Sequence, residues 1–433
     1  MHAIGRYAIF IACLPLHAAC GDKKMCNAQS ADSVPLLQLR QSAERGLNDP
    51  INEDMSNMPA SVHNAIPCAG VIAWQKLMQN NFYAELDHLQ NSDSCSCGRR
   101  LEYENINSEG FTHMLHVLGF QLMAGLMTER TVHPKGAMAY CPETAPRKDL
   151  FCFFNQTLAP CVDVDDTKCE QAGNIPASED QSFGYRWLRD SPSGWGKLGS
   201  AERKVEGPYT GRERDALWYR TGVFLQRYAS LGNFWIRSQV QGWAWKLRDD
   251  VQATLGKHSV FKMLNGVKYI AVHLRHSDNE QSIPRDFSID APKAISVQRA
   301  LKIADRIRQM DPEASTIFLA TDSVAIVDEV RHVQKQQKGN WTFVWNSDAH
   351  RTDSTKWKWY ANQRPAMGYD VLLDLQAFRN ANYMIGSMIS NVFRLGTELN
   401  FARKTSEGNS DECLRMGGQE YYHTLDVPWY QDL

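Results

Sequence analysis

Tyr269-Ile-Ala-Val-His-Leu-Arg-His-Ser-Asp278 is an apolar, β-branched run that stops abruptly in a cluster of His, Arg, Ser and Asp. Continuous apolar character means that both faces of the segment are covered, the condition of a strand in a parallel sheet with helices on either side. Ligands of such sheets bind just beyond the carboxyl ends of the strands, where His273, Arg275 and Asp278 would stand. The plain alternative is a strand running into a solvated turn with an Arg275–Asp278 ion pair.

Downstream the pattern is regular. Thr316–Ala320, Trp341–Trp345 and Tyr383–Ile385 read as strands, and Ile295–Met310, Val324–Gln334, Tyr369–Arg379 and Ser390–Leu399 read as helices. Strands alternating with helices of this length specify a parallel sheet wound on both faces. The expected unit is a Rossmann-like domain over 256–415, without the G-x-G-x-x-G of a dehydrogenase dinucleotide site. Its polar clusters at His273–Asp278, Ala320–Ser323 and Gly386–Asn391 all fall at strand ends and hence on one rim. Arg275 offers a planar fork suited to a diphosphate. Ser390 adds a hydroxyl and backbone donors at a helix N-terminus, where the dipole favours an anion. Asp374, inside Leu372-Leu-Asp-Leu-Gln376, is a carboxylate on an apolar helix segment and needs donors there. Singly, Asp322 and Ser390 read as helix N-caps and Asp374 as a structural hydrogen bonder; together at one rim the residues point to a diphosphate-nucleotide site.

Upstream, Phe111–Met127 carries Met114, Leu115, Leu118, Leu122, Leu126 and Met127 at helical spacing, with Gly110 just before it leaving free N–H groups at the helix start. Thr131–His133 and Ala137–Tyr140 read as strands of a first sheet. Arg214–Tyr228 and Phe234–Leu255 read as helices, the second with a packed face of Trp235, Val240, Trp243 and Leu247. The expected first domain is an α/β unit over 66–255 with disulfide-rich loops, and 416–433 is a tail.

A length of 433 residues favours two domains, and a formal net charge of -2 gives no electrostatic footprint for nucleic acid. Arg6 followed by the apolar stretch Tyr7–Ala19 reads as a signal peptide or short signal anchor over 1–24, the only expected membrane element, with a stem over 25–65. Seven of the eleven cysteines fall between Cys68 and Cys169 in loop-rich sequence, without zinc-finger spacing, so disulfides are favoured over a metal. The sequons Asn155-Gln-Thr157 and Asn340-Trp-Thr342 permit glycosylation. A lumenal or extracellular location follows.

Val272-His-Leu-Arg-His-Ser-Asp-Asn279, Ile317-Phe-Leu-Ala-Thr-Asp322 and Leu372-Leu-Asp-Leu-Gln-Ala-Phe378 followed by Ser387-Met-Ile-Ser-Asn-Val-Phe-Arg394 resemble, in order, three motifs of the alpha-1,6-fucosyltransferases, the core and nodulation enzymes. Gly110-Phe-Thr-His-Met-Leu-His116 is similar to the glycine-led helix start in their first domain, and Met416-Gly-Gly-Gln419 resembles a segment after their last catalytic helix. The resemblance implies a two-domain GT-B fold, GDP-fucose as donor, and inverting transfer without a metal or other cofactor. It implies that Arg275 grips the diphosphate, that His273 and Asp374 contact the nucleoside, and that Ser390 contacts a phosphate; Asp278 and Gly110 are expected on the donor side from their own positions, at a strand end and a helix start. The expected reaction is fucosyl transfer to a hydroxyl of a GlcNAc-containing oligosaccharide or glycoprotein, alpha-1,6 on an N-glycan core, in the Golgi lumen or after secretion. Another acceptor or linkage, or an inactive sugar- or nucleotide-binding relative, are the alternatives. His276 stands where the family has a second Arg, Asn279 where it has Lys, and Ile283 where it has its catalytic Glu. Inverting transfer needs a base for the acceptor proton, which leaves Glu280 and Asp286 as candidates.

Overall fold

The computed structural model describes residues 68–90, 100–104, 110–128, 131–155, 228, 232–275, 296–336, 340–351, 364–388, 390–408 and 421–425. The chain divides into Met1–Gly70 and Val71–Leu433. The expected leader and stem, most of the expected helix over Arg214–Tyr228, and Asp278, Glu280 and Asp286 lie outside the described residues.

Helix α1 (Cys68–Gln90) is followed by β1 (Arg100–Glu104), α2 (Phe111–Thr128) and β2 (Thr131–Lys135), with β1 and β2 paired in parallel. Met114, Leu115, Leu118 and Leu122 of α2 are buried, as their spacing requires. Ala137–Tyr140, expected as a strand, is instead part of a turn-rich strap. Gly136 takes a left-handed φ of 89°, the Cys141 N–H donates to the Met138 carbonyl, and a Cys141–Cys152 disulfide closes the strap. These local bonds satisfy the backbone without a strand partner.

The expected helix Phe234–Leu255 is two helices, α3 (Gly232–Ala244) and α4 (Asp249–Gly256), followed by α5 (Ser259–Leu264). Between α3 and α4 the chain turns extended to bond another segment. Asn155 N–H donates to the Lys246 carbonyl, Arg248 N–H donates to the Phe153 carbonyl, and Leu247 bridges Phe154. Asp249 and Asp250 then occupy the first turn of α4, where the helix dipole favours carboxylates. The apolar face survives the break, since Trp235, Val240, Trp243 and Leu247 are all buried.

The remaining elements are β3 (Tyr269–His273), α6 (Val297–Met310), β4 (Thr316–Ala320), α7 (Val324–Gln336), β5 (Thr342–Trp345), α8 (Arg364–Asn380), β6 (Tyr383–Gly386), α9 (Asn391–Glu407) and β7 (Tyr422–Thr424). The last of these lies in the stretch expected to be a tail. β3, β4 and β6 are buried at every position, so both their faces are covered. The five strands form one all-parallel sheet in the order β5-β4-β3-β6-β7. The chain thus starts in the middle, runs to one edge, and returns to fill the other. The reversal falls between β3 and β6, whose last residues His273 and Gly386 are register partners. At such a switch point the flanking loops part and leave a crevice beyond the strand ends.

Helix α9 is held against the rest of the unit by a buried charge cluster. Glu398 is fully buried, with Arg237 of α3 at 2.7 Å and His116 of α2 at 3.0 Å. Burial alone would push its carboxyl up, but Arg237 and His116 outweigh that and hold it at about 2. Burial, opposed by Glu398, lowers His116, so the ring stays neutral and donates to the carboxylate rather than adding a second cation. Among the described residues no helix is long and apolar enough to cross a membrane.

Candidate functional site

The switch-point crevice collects its side chains from the carboxyl ends of four strands. From β3 comes His273, 5% exposed, its ring set near those of Phe378 and Phe393. Burial first, and the neighbouring Arg275 charge second, lower His273 to about 3, with only its own main chain opposing. The ring is therefore neutral at physiological pH. Its Nε2 lies 3.5 Å from Ser390 Oγ, while Nδ1 is buried without a well-formed hydrogen bond among the described residues. A buried imidazole nitrogen in that condition is costly unless a ligand completes it.

Arg275 follows two residues later. The Leu274 N–H still donates to the Ala320 carbonyl, so the chain leaves β3 along β4 and brings Arg275 Nε to 3.8 Å from Asp322 Oδ2. That distance is a loose ion pair rather than a hydrogen bond. The Arg275 side chain keeps 29% of its surface accessible, enough for its fork to meet a ligand.

The β4 end corrects one expectation. Asp322 does not cap α7: Ser323 does, its Oγ accepting from the Ile326 N–H, while Thr321 Oγ1 accepts from the Ser323 N–H. Asp322 is thereby left to face Arg275. At the β6 end, Gly386 is required because a Cβ there would run into the Phe393 ring, and this close approach seats the first turn of α9 directly over the strand end. Ser390 is fully buried at the α9 N-cap with extended φ and ψ, yet its side chain accepts no N–H of the helix. The first-turn donors of a 17-residue helix therefore carry no hydroxyl cap of their own.

The β5 end supplies a cluster that sequence reasoning passed over. Asp370, on α8, accepts from Asn346 Nδ2 at 2.9 Å, from the His350 N–H at 2.9 Å and from His350 Nδ1 at 3.0 Å. Arg351 donates to the Asn346 carbonyl and is lowered by burial, against the pull of Asp374 and Asp370. The signal was the polar run Asn346-Ser-Asp-Ala-His-Arg351 after the third strand, of the same kind as those after the other strands. One turn beyond Asp370, Asp374 makes no hydrogen bond among the described residues. Burial and then the Asp370 charge raise its carboxyl well above the ordinary range, Arg351 opposing, although the side chain keeps some contact with solvent.

Gly110 precedes α2, and its carbonyl accepts from the Met114 N–H. Phe111 beside it packs on Phe153, which packs on Tyr369 of α8, so α2 begins next to the amino-terminal part of α8. His273 and Ser390 are thus brought into contact, Arg275 meets Asp322, and Asp374 joins Arg351 and Asp370. An arginine fork and a helix N-terminus suit phosphoryl oxygens, and a recessed carboxylate with an unfilled imidazole nitrogen suits the polar edge of a base.

No family model and no curated protein matches the chain. Solved structures do. The fucosyltransferase NodZ from Bradyrhizobium is similar at 15% identity and a TM-score of 0.36, over 69% of this chain and 91% of that one. POFUT1 in complex with GDP-fucose is similar at 12% identity and a TM-score of 0.36, over 71% and 95%. A point variant of Arabidopsis thaliana FUT1 in complex with GDP is similar at 8% identity and a TM-score of 0.40, over 75% and 77%. Values this low leave the reading of the crevice to its own residues.

Proposed function

We propose that this chain is an inverting glycosyltransferase that moves L-fucose from GDP-fucose to a hydroxyl of a GlcNAc-containing glycan, in the alpha-1,6 linkage on an N-glycan core. The observation that carries the reading is the meeting of side chains at the switch point, where Arg275 and the α9 N-terminus stand beside a buried neutral His273. The motif resemblance over Val272–Asn279 and Ser387–Arg394 falls on the two strand ends that form it.

In this reading the acceptor oxygen bonds to the anomeric carbon of fucose as the bond from that carbon to the diphosphate oxygen breaks. The electron pair leaves with GDP, and Arg275 and the α9 dipole stabilise the charge that develops there. These groups do the work a divalent cation would otherwise do, so the transfer is metal-independent. The acceptor proton passes to Glu280 or Asp286, both in the segment after Arg275. Residues 66–255 form the acceptor-side domain and 256–415 the donor-side domain of a GT-B arrangement. The Cys141–Cys152 disulfide supports an oxidising lumen such as the Golgi.

An inactive nucleotide- or sugar-binding relative is the second reading, favoured by Ile283, Asn279 and His276 at positions where the resembled family has Glu, Lys and Arg. Calorimetric titration with GDP and GDP-fucose, followed by assay of GDP release with a GlcNAc-terminated biantennary glycan, decides between them. Binding and acceptor-dependent release that persists in EDTA is the expected result. Binding without release favours the inactive relative, and the absence of GDP binding removes both.

A further inference from the structure

A second cleft, of about 660 Å³, opens at the other end of the same sheet. It is lined from α4, α5, the turn into β3 and the carboxyl end of α8, beside the first residue of β3, Tyr269. The switch-point crevice lies beyond His273, at the last residue of that strand. Five strand residues at about 3.3 Å each put roughly 13–17 Å between the two, so the cleft is not part of the nucleotide site.

Its lining has a definite chemistry. Trp245 contributes an indole whose N–H is fixed by Gln376 Oε1 at 3.0 Å, and around it stand the amides of Gln252, Asn265 and Asn380. The Gln252 Nε2 donors are turned to the Leu247 carbonyl, and no hydrogen bond among the described residues engages the Asn265 or Asn380 side chain. Arg379 is the notable member. Its guanidinium makes no ion pair or hydrogen bond among the described residues, and burial lowers its pKa, with the nearby Arg403 charge acting in the same direction. The carboxylate that could serve both, Glu407, is already bonded by Arg403 at 2.5 Å. The last turn of α8 gives Arg379 only the partial negative charge of its carbonyls. Among the described residues, no carboxylate forms an ion pair with this half-buried cation, and the Glu407 charge reaches it only at a distance.

We propose that this cleft binds a carboxylated saccharide, with the sugar ring against Trp245, its hydroxyls on the amides of Gln252, Asn265 and Asn380, and its carboxylate on Arg379. An aromatic face with amides is the chemistry of a polyhydroxylated ring, which has an apolar side and a hydroxyl rim. The planar fork of arginine matches a carboxylate in two parallel bonds. A simple phosphate would satisfy Arg379 but leave the indole and amides unused. The cleft gives the chain a hold on an acidic glycan branch at a distance from the reacting hydroxyl.

The test is calorimetry on the full chain with 3′-sialyllactose and with lactose, both in saturating GDP so that the crevice is occupied. Sialyllactose is expected to bind about tenfold or more tighter than lactose, the worth of one charge-assisted contact. Arg379→Met should bring sialyllactose down to the lactose level, and Trp245→Ala should weaken both sugars. Asn265→Asp, an exposed turn position that the fold does not depend on, should weaken sialyllactose selectively by repulsion, and it keeps the test valid if the other variants melt early. Equal affinity for the two sugars, absence of binding, or binding indifferent to Asn265→Asp overturns the proposal. GDP affinity is read in the same samples, so failure of the cleft is separable from failure of the nucleotide reading.

Discussion

Helices α7 and α9 follow the two strands that flank β3, and each is preceded by a serine, yet their N-termini are finished differently. At α7 the hydroxyl of Ser323 takes the Ile326 N–H and Thr321 takes the Ser323 N–H, so the turn closes on itself. At α9 the hydroxyl of Ser390 takes no helix N–H and lies instead 3.5 Å from the imidazole of His273. The first arrangement is that of a terminus whose task is to start a helix. The second leaves helix-start donors without a hydroxyl cap beside a buried ring whose other nitrogen, Nδ1, has no hydrogen-bond partner among the described residues. An uncapped start costs about 1 kcal/mol, and α9 tolerates it because Glu398, two turns further on, anchors the helix to Arg237 and His116.

The comparison therefore depends first on that anchor, and removing it should have the largest effect. Arg237→Met removes the charge that holds the buried Glu398 carboxylate most strongly, leaving the neutral His116 ring and the Arg394 charge, and should lower the unfolding free energy by about 3–5 kcal/mol in chemical denaturation. A loss under ~1 kcal/mol, the scale of an exposed pair, would mean that α9 is held by packing alone and that its open start needs another explanation. Next in size is Arg275→Ala. Loss of a forked, charge-assisted contact should weaken GDP about 30- to 100-fold by calorimetry, with little change in melting. Unchanged GDP affinity would remove the crevice as the diphosphate site.

The two serines can then be set against each other directly. Ser323→Ala should cost about 1 kcal/mol of stability and leave GDP binding alone. Ser390→Ala should do the reverse, weakening GDP about fivefold while stability holds, since a neutral hydrogen bond is worth ~1 kcal/mol. If both variants lose stability and neither loses affinity, the two termini are equivalent and the contrast drawn between them fails.

Much of this rim was legible in the sequence, for an identifiable reason. Tyr269–His273 and Thr316–Ala320 are apolar at nearly every position because they are buried on both faces, and such runs end sharply at polar residues. That placed His273, Arg275 and Ser390 within a residue of where they stand. Tertiary contacts hid the rest. Helix α9 runs eight residues past the expected end at Leu399, because Asn400 donates to the carbonyls of Phe378, Arg379 and Ala381 and Lys404 donates to that of Asn382. A polar stretch that reads as a helix end is in fact bonded to the exposed carbonyls of the α8 terminus. Likewise the break between α3 and α4 depends on Phe153 and Asn155, about 90 residues earlier in the chain. The Asn346–Arg351 cluster was visible in composition, but its meaning depends on Asp370 lying across from it.

The smallest effect concerns protons, and it probes Asp374 rather than the two helix starts. Asp374 has its carboxyl raised well above the ordinary 3.8, by burial and then by Asp370. A folded-state pKa above the unfolded one means that the group's contribution to stability is present at low pH and is lost as pH rises through the raised value. A base edge offering N–H donors demands the ionised carboxylate, so binding must draw that pKa back down and expel a proton. GDP affinity should therefore increase with pH across the range above 3.8 in which free Asp374 titrates, and level off beyond it. Calorimetry at one pH within that range, in two buffers of different ionisation enthalpy, should show release of a fraction of a proton per GDP, and Asp374→Asn should abolish it. Proton uptake instead of release would mean that the neutral acid is the binding form and donates to the base. Asp374 would then act as a donor alongside Arg275 and the α9 start, and the contrast between a donor-rich phosphate side and an acceptor side for the base would fail.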